Sequence, residues 1–208
     1  MTSVLGKLAT ARGRRDEVPN QELARELAAA KNRAGIREIA ENLRHEDKKI
    51  QADCVKVLYE IGYIDPKLVA PYADDFVALL GSRNNRLVWG GMIALSTIAP
   101  VEAGALYAKR DVIQRAIEHG SVITGDNGIK TLARVAAQSD RYRRALLPYL
   151  LAHLRTCRPQ DVPQHAEHTA IAVKAADRAE FVKVLEKRVV GMSASRSRRI
   201  ARVIKSVS

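Results

Sequence analysis

The residues best suited to chemistry lie in "HLRTCRPQDVPQHAEH", which holds His153, Cys157, His165 and His168. His153 and Cys157 are spaced i, i+4, and His165 and His168 are spaced i, i+3, so each pair falls on one side of a helix. Two such helices meeting at a corner could present four zinc ligands, because imidazole nitrogen and thiolate sulfur are donors that zinc prefers. The chain has no CxxC and no HExxH, however, and the spacing fits no standard zinc module. Helix-end histidines and a buried cysteine account for the same residues. The sequence alone therefore assigns no metal and no cofactor.

Other candidates are weaker. "GSVITGDNG" is glycine-rich, but it lacks GxxxxGK[ST] and follows no strand, so it reads as a turn between helices. Asp74 and Asp75 are neighbours in sequence, and adjacent carboxylates on a helix do not face each other, which makes a poor acid–base pair. No Ser/His/Asp or Cys/His arrangement is supported. The expectation is a protein that is not an enzyme and has no small-molecule substrate.

The elements that must position any site are helical. Hydrophobic residues make up 47% of the chain and aromatics only 4%, with alanine and leucine abundant, which favours helices over strands. Residues 1–19 read as a basic N-terminal arm, with three arginines and a closing proline. Residues 20–208 read as one domain. Asn20 is a plausible N-cap for "QELARELAAAKN", followed by "GIREIAENLR" and "DKKIQADCVKVLYEIG". No segment reads as a strand.

A repeat emerges when residues 50–62 are shifted by 37 positions and then by 37 again. Ile50 falls on Leu87 and Thr124, Cys54 on Gly91 and Gly128, Val55 on Met92 and Ile129. Leu58 falls on Leu95 and Leu132, Ile61 on Ile98 and Val135, Gly62 on Ala99 and Ala136. These apolar or small positions form one face of a helix, and only Thr124 breaks the pattern. A further helix precedes each of these, and two more pairs follow them. Antiparallel helix pairs at such a period make an α-solenoid.

A polar turn, an aliphatic, a small residue and a Leu-x-x-Ile-Gly/Ala ending resembles the second helix of a HEAT repeat. "DKKIQADCVKVLYEIG" and "NNRLVWGGMIALSTIA" match it well, and "GDNGIKTLARVA" fairly. The arginine usual after the aliphatic is replaced by Gln51 and Val88. "PKLVAPYADDFVALL" resembles a HEAT first helix, with Pro66 at its start and Pro71 at an internal kink. The resemblance spans residues 35–206 and is firmest over 47–137. It implies an all-α, armadillo-like α-solenoid of about five helix pairs, a right-handed superhelix without a sheet, whose second helices line a concave surface. A narrower likeness is to the alkylpurine DNA glycosylases, whose HEAT-like fold has a basic groove with aromatic and carboxylate residues. Here Ile93, not an acid, stands one turn after the single tryptophan; Asp126 could take that place in space, but no motif supports it.

Advancing about 100° per residue from Ile50 separates the core stripe from an opposite face. That face collects Lys49, Lys56 and Tyr59, then Arg86 and Trp89, then Asp126, Lys130 and Arg134. Gly91 belongs to the small-residue column with Cys54 and Gly128, where helices would approach closely. Trp89 falls on the outward face, the surface a solenoid offers to partners. Tryptophan amid cations suits a protein segment, with the indole as anchor. It also suits nucleic acid, with cations on phosphates and the ring near a base. A spacer packed between repeats would use the same residue.

The net charge of +12 is uneven: residues 82–156 and 157–208 each carry +6. Such a surface attracts acidic proteins or nucleic acid, or simply maintains solubility. The tail carries Arg196, Arg198, Arg199, Arg202 and Lys205 without an acid, while Ile200, Val203, Ile204 and Val207 recur at helical spacing. This basic amphipathic helix reads as the cap of the array, with an acidic protein, nucleic acid or a membrane surface as alternative contacts. No apolar run is long enough to span a membrane, no secretory signal is evident, and the two cysteines are far apart, so a reduced cytoplasmic protein is expected. A protein-binding scaffold is the leading expectation, and a nucleic-acid-binding HEAT-like protein the alternative.

Overall fold

Helices and turns account for all regular structure among the described residues, 3–207, of the computed structural model. Helix α1 (Val18–Ala29) precedes five pairs. These are α2 (Arg33–Glu41) with α3 (Lys48–Ile64), then α4 (Pro66–Val69) and α5 (Ala73–Leu79) with α6 (Asn85–Ile98). Next come α7 (Ala103–Ala108) and α8 (Arg110–His119) with α9 (Val122–Ala136), α10 (Asp140–Thr156) with α11 (Val162–Ala170), and α12 (Arg178–Val189) with α13 (Ala194–Ser206). The second member of each pair packs on the second member of the next, so α1, α3, α6, α9, α11 and α13 form one row. The first members cover that row as a second layer. The expected all-α solenoid of about five pairs is what forms.

Local chemistry sets the boundaries. The row helices α3, α6 and α9 start at Asp47, Asn84 and Ser121, whose side chains accept backbone N–H groups that lack partners in the first turn. Pro71 lies in a 3-10 turn, Ala70–Tyr72, that separates α4 from α5, since proline has no N–H and its ring crowds the preceding turn. Thr124, the one exception in the repeat columns, is buried with its hydroxyl 3.0 Å from that of the capping Ser121.

The small-residue column brings layers together. A Cβ on Gly91 would lie 2.9 Å from the Phe76 carbonyl oxygen of α5, and one on Gly128 2.3 Å from Ile117 Cγ1 of α8. Gly90 makes a separate contact that the repeat columns do not show. Its Cβ would lie 2.8 Å from Val55 Cγ1 on α3, so the two successive glycines serve the partner helix and the row neighbour in turn.

Asn20 departs from its expected place. The helix starts two residues earlier, at Val18 with Pro19 in its first turn, and Asn20 is buried inside α1 rather than capping it. Its Oδ1 accepts the Ala9 N–H at 2.9 Å. The segment read as an arm packs on the array through Val4, Leu8 and Ala9, all buried. Two hydrophobic clusters fill the interior. The larger runs from Val4 to Ala172, and the smaller joins α10, α11, α12 and α13 around Phe181. No helix of the described residues is long and apolar enough to cross a membrane.

Candidate functional site

The row of α3, α6 and α9 carries the residues assigned to a binding face, but neighbouring repeats cover several of them. Lys56 is buried: its Nζ lies 2.6 Å from Glu60 and 2.9 Å from Glu17, and 4.8 Å from the centre of the Tyr59 ring. Burial draws its pKa down, but the hydrogen bonds it donates to Glu60 and Glu17 outweigh it and hold the ammonium above its usual range. Tyr59 is buried as well. Glu17 also receives Arg86 at 3.3 Å, so one carboxylate before α1 ties α3 to α6. Lys49 and Arg86 are exposed beside a cavity of about 510 Å³ that Arg14, Arg15 and Asp53 also line. Trp89 is half-buried and packs against the larger hydrophobic cluster.

The open chemistry is further along. Lys130 is half-buried with Nζ 5.7 Å from the centre of the Tyr63 ring, and burial, then Arg134, lowers its pKa. Arg134 donates to the Ser96 carbonyl at 2.6 Å. Among the described residues neither cation has a carboxylate within ion-pair distance. Tyr63 is 53% exposed and meets Tyr59 edge-to-face at 6.1 Å, so a tyrosine missed by the wheel reading is the exposed aromatic here. Its spacing of four from Tyr59 was the available signal. His168 joins them: burial, then Lys130, lowers its pKa to about 4.

The histidine corner assembles only in part as the spacing allowed. His153 Nε2 is 2.9 Å from His165 Nδ1, and Cys157 offers Sγ within 4.8 Å of a ring nitrogen of each histidine. The fourth expected member, His168, is not in that cluster. Asp126, expected on the binding face, stands behind the cluster, its Oδ1 2.7 Å from His165 Nε2. Burial, then His165, lowers the His153 pKa to about 4, and burial raises the Cys157 thiol to about 11. At the chain's end, Ile200 and Val203 of α13 are buried and Arg199 forks onto Glu167 of α11 at 2.8 and 2.7 Å. Arg196, Arg198, Arg202 and Lys205 are exposed, so the helix turns its charged side outward.

These features define a HEAT/armadillo-like repeat solenoid. No protein-family model matches the chain, and no curated protein matches it. Solved structures do. An engineered protein superposes with a TM-score of 0.67 at 19% identity, covering 98% of this chain and 94% of that one. A designed armadillo repeat protein in complex with the peptide (KR)4 superposes with a TM-score of 0.66 at 13% identity, covering 90% of this chain and 87% of that one. A mutant of Kap121p gives a TM-score of 0.65 at 14% identity, covering 90% of this chain and 20% of that one. At these identities the likeness is one of fold. None of these three names supports the narrower likeness to glycosylases.

Proposed function

We propose that the chain is a non-catalytic scaffold that binds a carboxylate-bearing protein segment along α3, α6 and α9, taken as the concave side of the row. The observation that carries this reading is the pair Lys130 and Arg134, two cations without a carboxylate partner among the described residues, with Lys130 beside the exposed Tyr63 ring; the half-buried Trp89 lies on the neighbouring α6. Carboxylates of a partner would complete the pair, and the aromatic rings would supply buried contact area. The designed armadillo neighbour in complex with the peptide (KR)4 supports a peptide-binding role for this fold; the charge here calls for a partner of the opposite sign. Asp126 lies outside this reading because His165 occupies it. We place the protein in the cytoplasm, where its two free cysteines, one buried and one half-buried, would stay reduced.

The test is a titration of the full chain with a labelled Glu/Tyr-rich peptide, with (KR)4, and with duplex and single-stranded DNA. Trp89 is the only tryptophan, so its fluorescence reports on this face directly. The acidic peptide should bind, and Lys130→Glu with Arg134→Glu should weaken it at least tenfold. Preference for (KR)4 would overturn the proposal. Binding of DNA alone, with a steep salt dependence, would replace it with the nucleic-acid reading.

A further inference from the structure

The geometry points to a second site, separate from the proposed binding face: His153 Nε2, His165 Nδ1 and Cys157 Sγ form a three-ligand site for a divalent ion of the zinc class, with Asp126 orienting His165. Three helices supply it. His153 lies in α10, Cys157 caps that helix, His165 lies in α11, and Asp126 reaches in from α9. One donor atom from each of the three residues lies within 4.8 Å of the other two, at the edge of a cavity of about 340 Å³ lined by all four residues.

The hydrogen bonding already sorts the lone pairs. Asp126 Oδ1 accepts from His165 Nε2, 2.7 Å away, which leaves His165 Nδ1 unprotonated and aimed at His153 Nε2. A carboxylate behind a ligating imidazole is the usual second-layer support of a zinc site. In the structure the two rings share one proton across 2.9 Å. Two nitrogens on a tetrahedral zinc, each about 2.0–2.1 Å from the ion, lie about 3.3–3.4 Å apart, so the rings need only separate by a few tenths of an ångström. Cys157 Sγ has only a long contact, 3.9 Å to the Leu154 carbonyl, and can turn toward the ion. On binding, Sγ releases its proton to solvent, and the proton on His153 Nε2 is exchanged through water for one on Nδ1, which frees the Nε2 lone pair for the ion. Thiolate, ion and Asp126 then sum to zero charge. Water from the cavity would fill the fourth position.

Softness selects the ion. A thiolate with two imidazoles suits zinc and disfavours calcium or magnesium, which take oxygen ligands. The site would clamp α9, α10 and α11, where the two hydrophobic clusters meet.

The test uses the full chain freed of metal by chelation, titrated with Co²⁺ and then with Zn²⁺. One equivalent of cobalt should give tetrahedral d–d bands and a thiolate charge-transfer band, which zinc then displaces. Cys157→Ser should abolish the charge-transfer band, and Asp126→Asn should weaken zinc about 10–100-fold. Both residues are only half-buried, so these variants should fold, as circular dichroism would check. His168→Gln should bind as wild type does. No stoichiometric cobalt spectrum, a charge-transfer band that survives in Cys157→Ser, or loss of binding in His168→Gln would each overturn the site.

Discussion

Asn20 and Asp53 meet in the interior: Asn20 Nδ2 donates to Asp53 Oδ1 at 2.8 Å, while Asp53 Oδ2 accepts the Thr10 N–H at 2.7 Å. A buried amide and a buried carboxylate therefore fasten the chain's first segment to α1 and α3. Asp53→Ala should leave a buried amide and a backbone N–H without acceptors and cost about 1–3 kcal/mol, read from the urea midpoint. Trypsin should then cleave faster after Arg12, Arg14 and Arg15. Asp53→Asn retains one acceptor oxygen and should lose less.

The glycines of the row should divide by what surrounds them. Gly91 faces a backbone oxygen and a Cβ, neither of which can rotate away. Gly91→Ala should therefore destabilise by about 1–2 kcal/mol, as overpacking outweighs the gain in helix propensity. Gly125, in α9, has only the Ile117 oxygen at 4.0 Å. Gly125→Ala should stabilise by about 0.5–1 kcal/mol. Thermal melts of the two variants should shift in opposite directions.

Acid should weaken the fold over a defined window. His168 faces Lys130, His165, Arg134 and Asp126, and burial, then Lys130, holds its pKa near 4 against 6.5 for the free side chain. Between those values the unfolded chain takes up a proton that the folded chain refuses, so stability falls as pH drops from about 6.5 to 4. His153 behaves likewise, with a pKa of about 4. In metal-free protein, His168→Gln should flatten the pH dependence of Tm in this window. An unchanged slope would show that other groups govern it.

Amine labelling should separate Lys56 from Lys49. Lys49 is exposed, whereas Lys56 is buried between two carboxylates that keep it protonated. Mass spectrometry after brief acylation near pH 8 should show Lys56 modified at least about tenfold less, because only the neutral amine reacts. Glu60→Gln should raise its labelling.

The repeat and the fold were legible because both depend on periodicity along one helix. Ile50, Leu87 and their successors recur at a fixed interval, and the Cys54, Gly91 and Gly128 column marked where layers approach. The binding face was harder to read. A helical wheel places Lys56 and Tyr59 opposite the core stripe, yet both are buried. A row helix has neighbours on both sides, and long side chains from them close over its outer strip, which a single-helix projection does not contain. The contact between Asp126 and His165 joins residues 39 apart on different helices, so no local spacing encodes it. Asn20 looked like a cap because asparagine is favoured there; a buried carboxylate and the Ala9 amide used it otherwise.

Helix α10 faces both interior clusters, with Leu146 and Leu150 in the larger and Leu147, Leu151 and Leu154 in the smaller. It is a party wall between two rooms. The last two helices can open while Leu146 and Leu150 keep the wall standing, whereas collapse of the larger room takes the wall and both rooms with it. Amide hydrogen exchange should therefore show α12 and α13 unlocking in a partial opening of lower free energy than the global one, with α10 exchanging only when the whole chain unfolds.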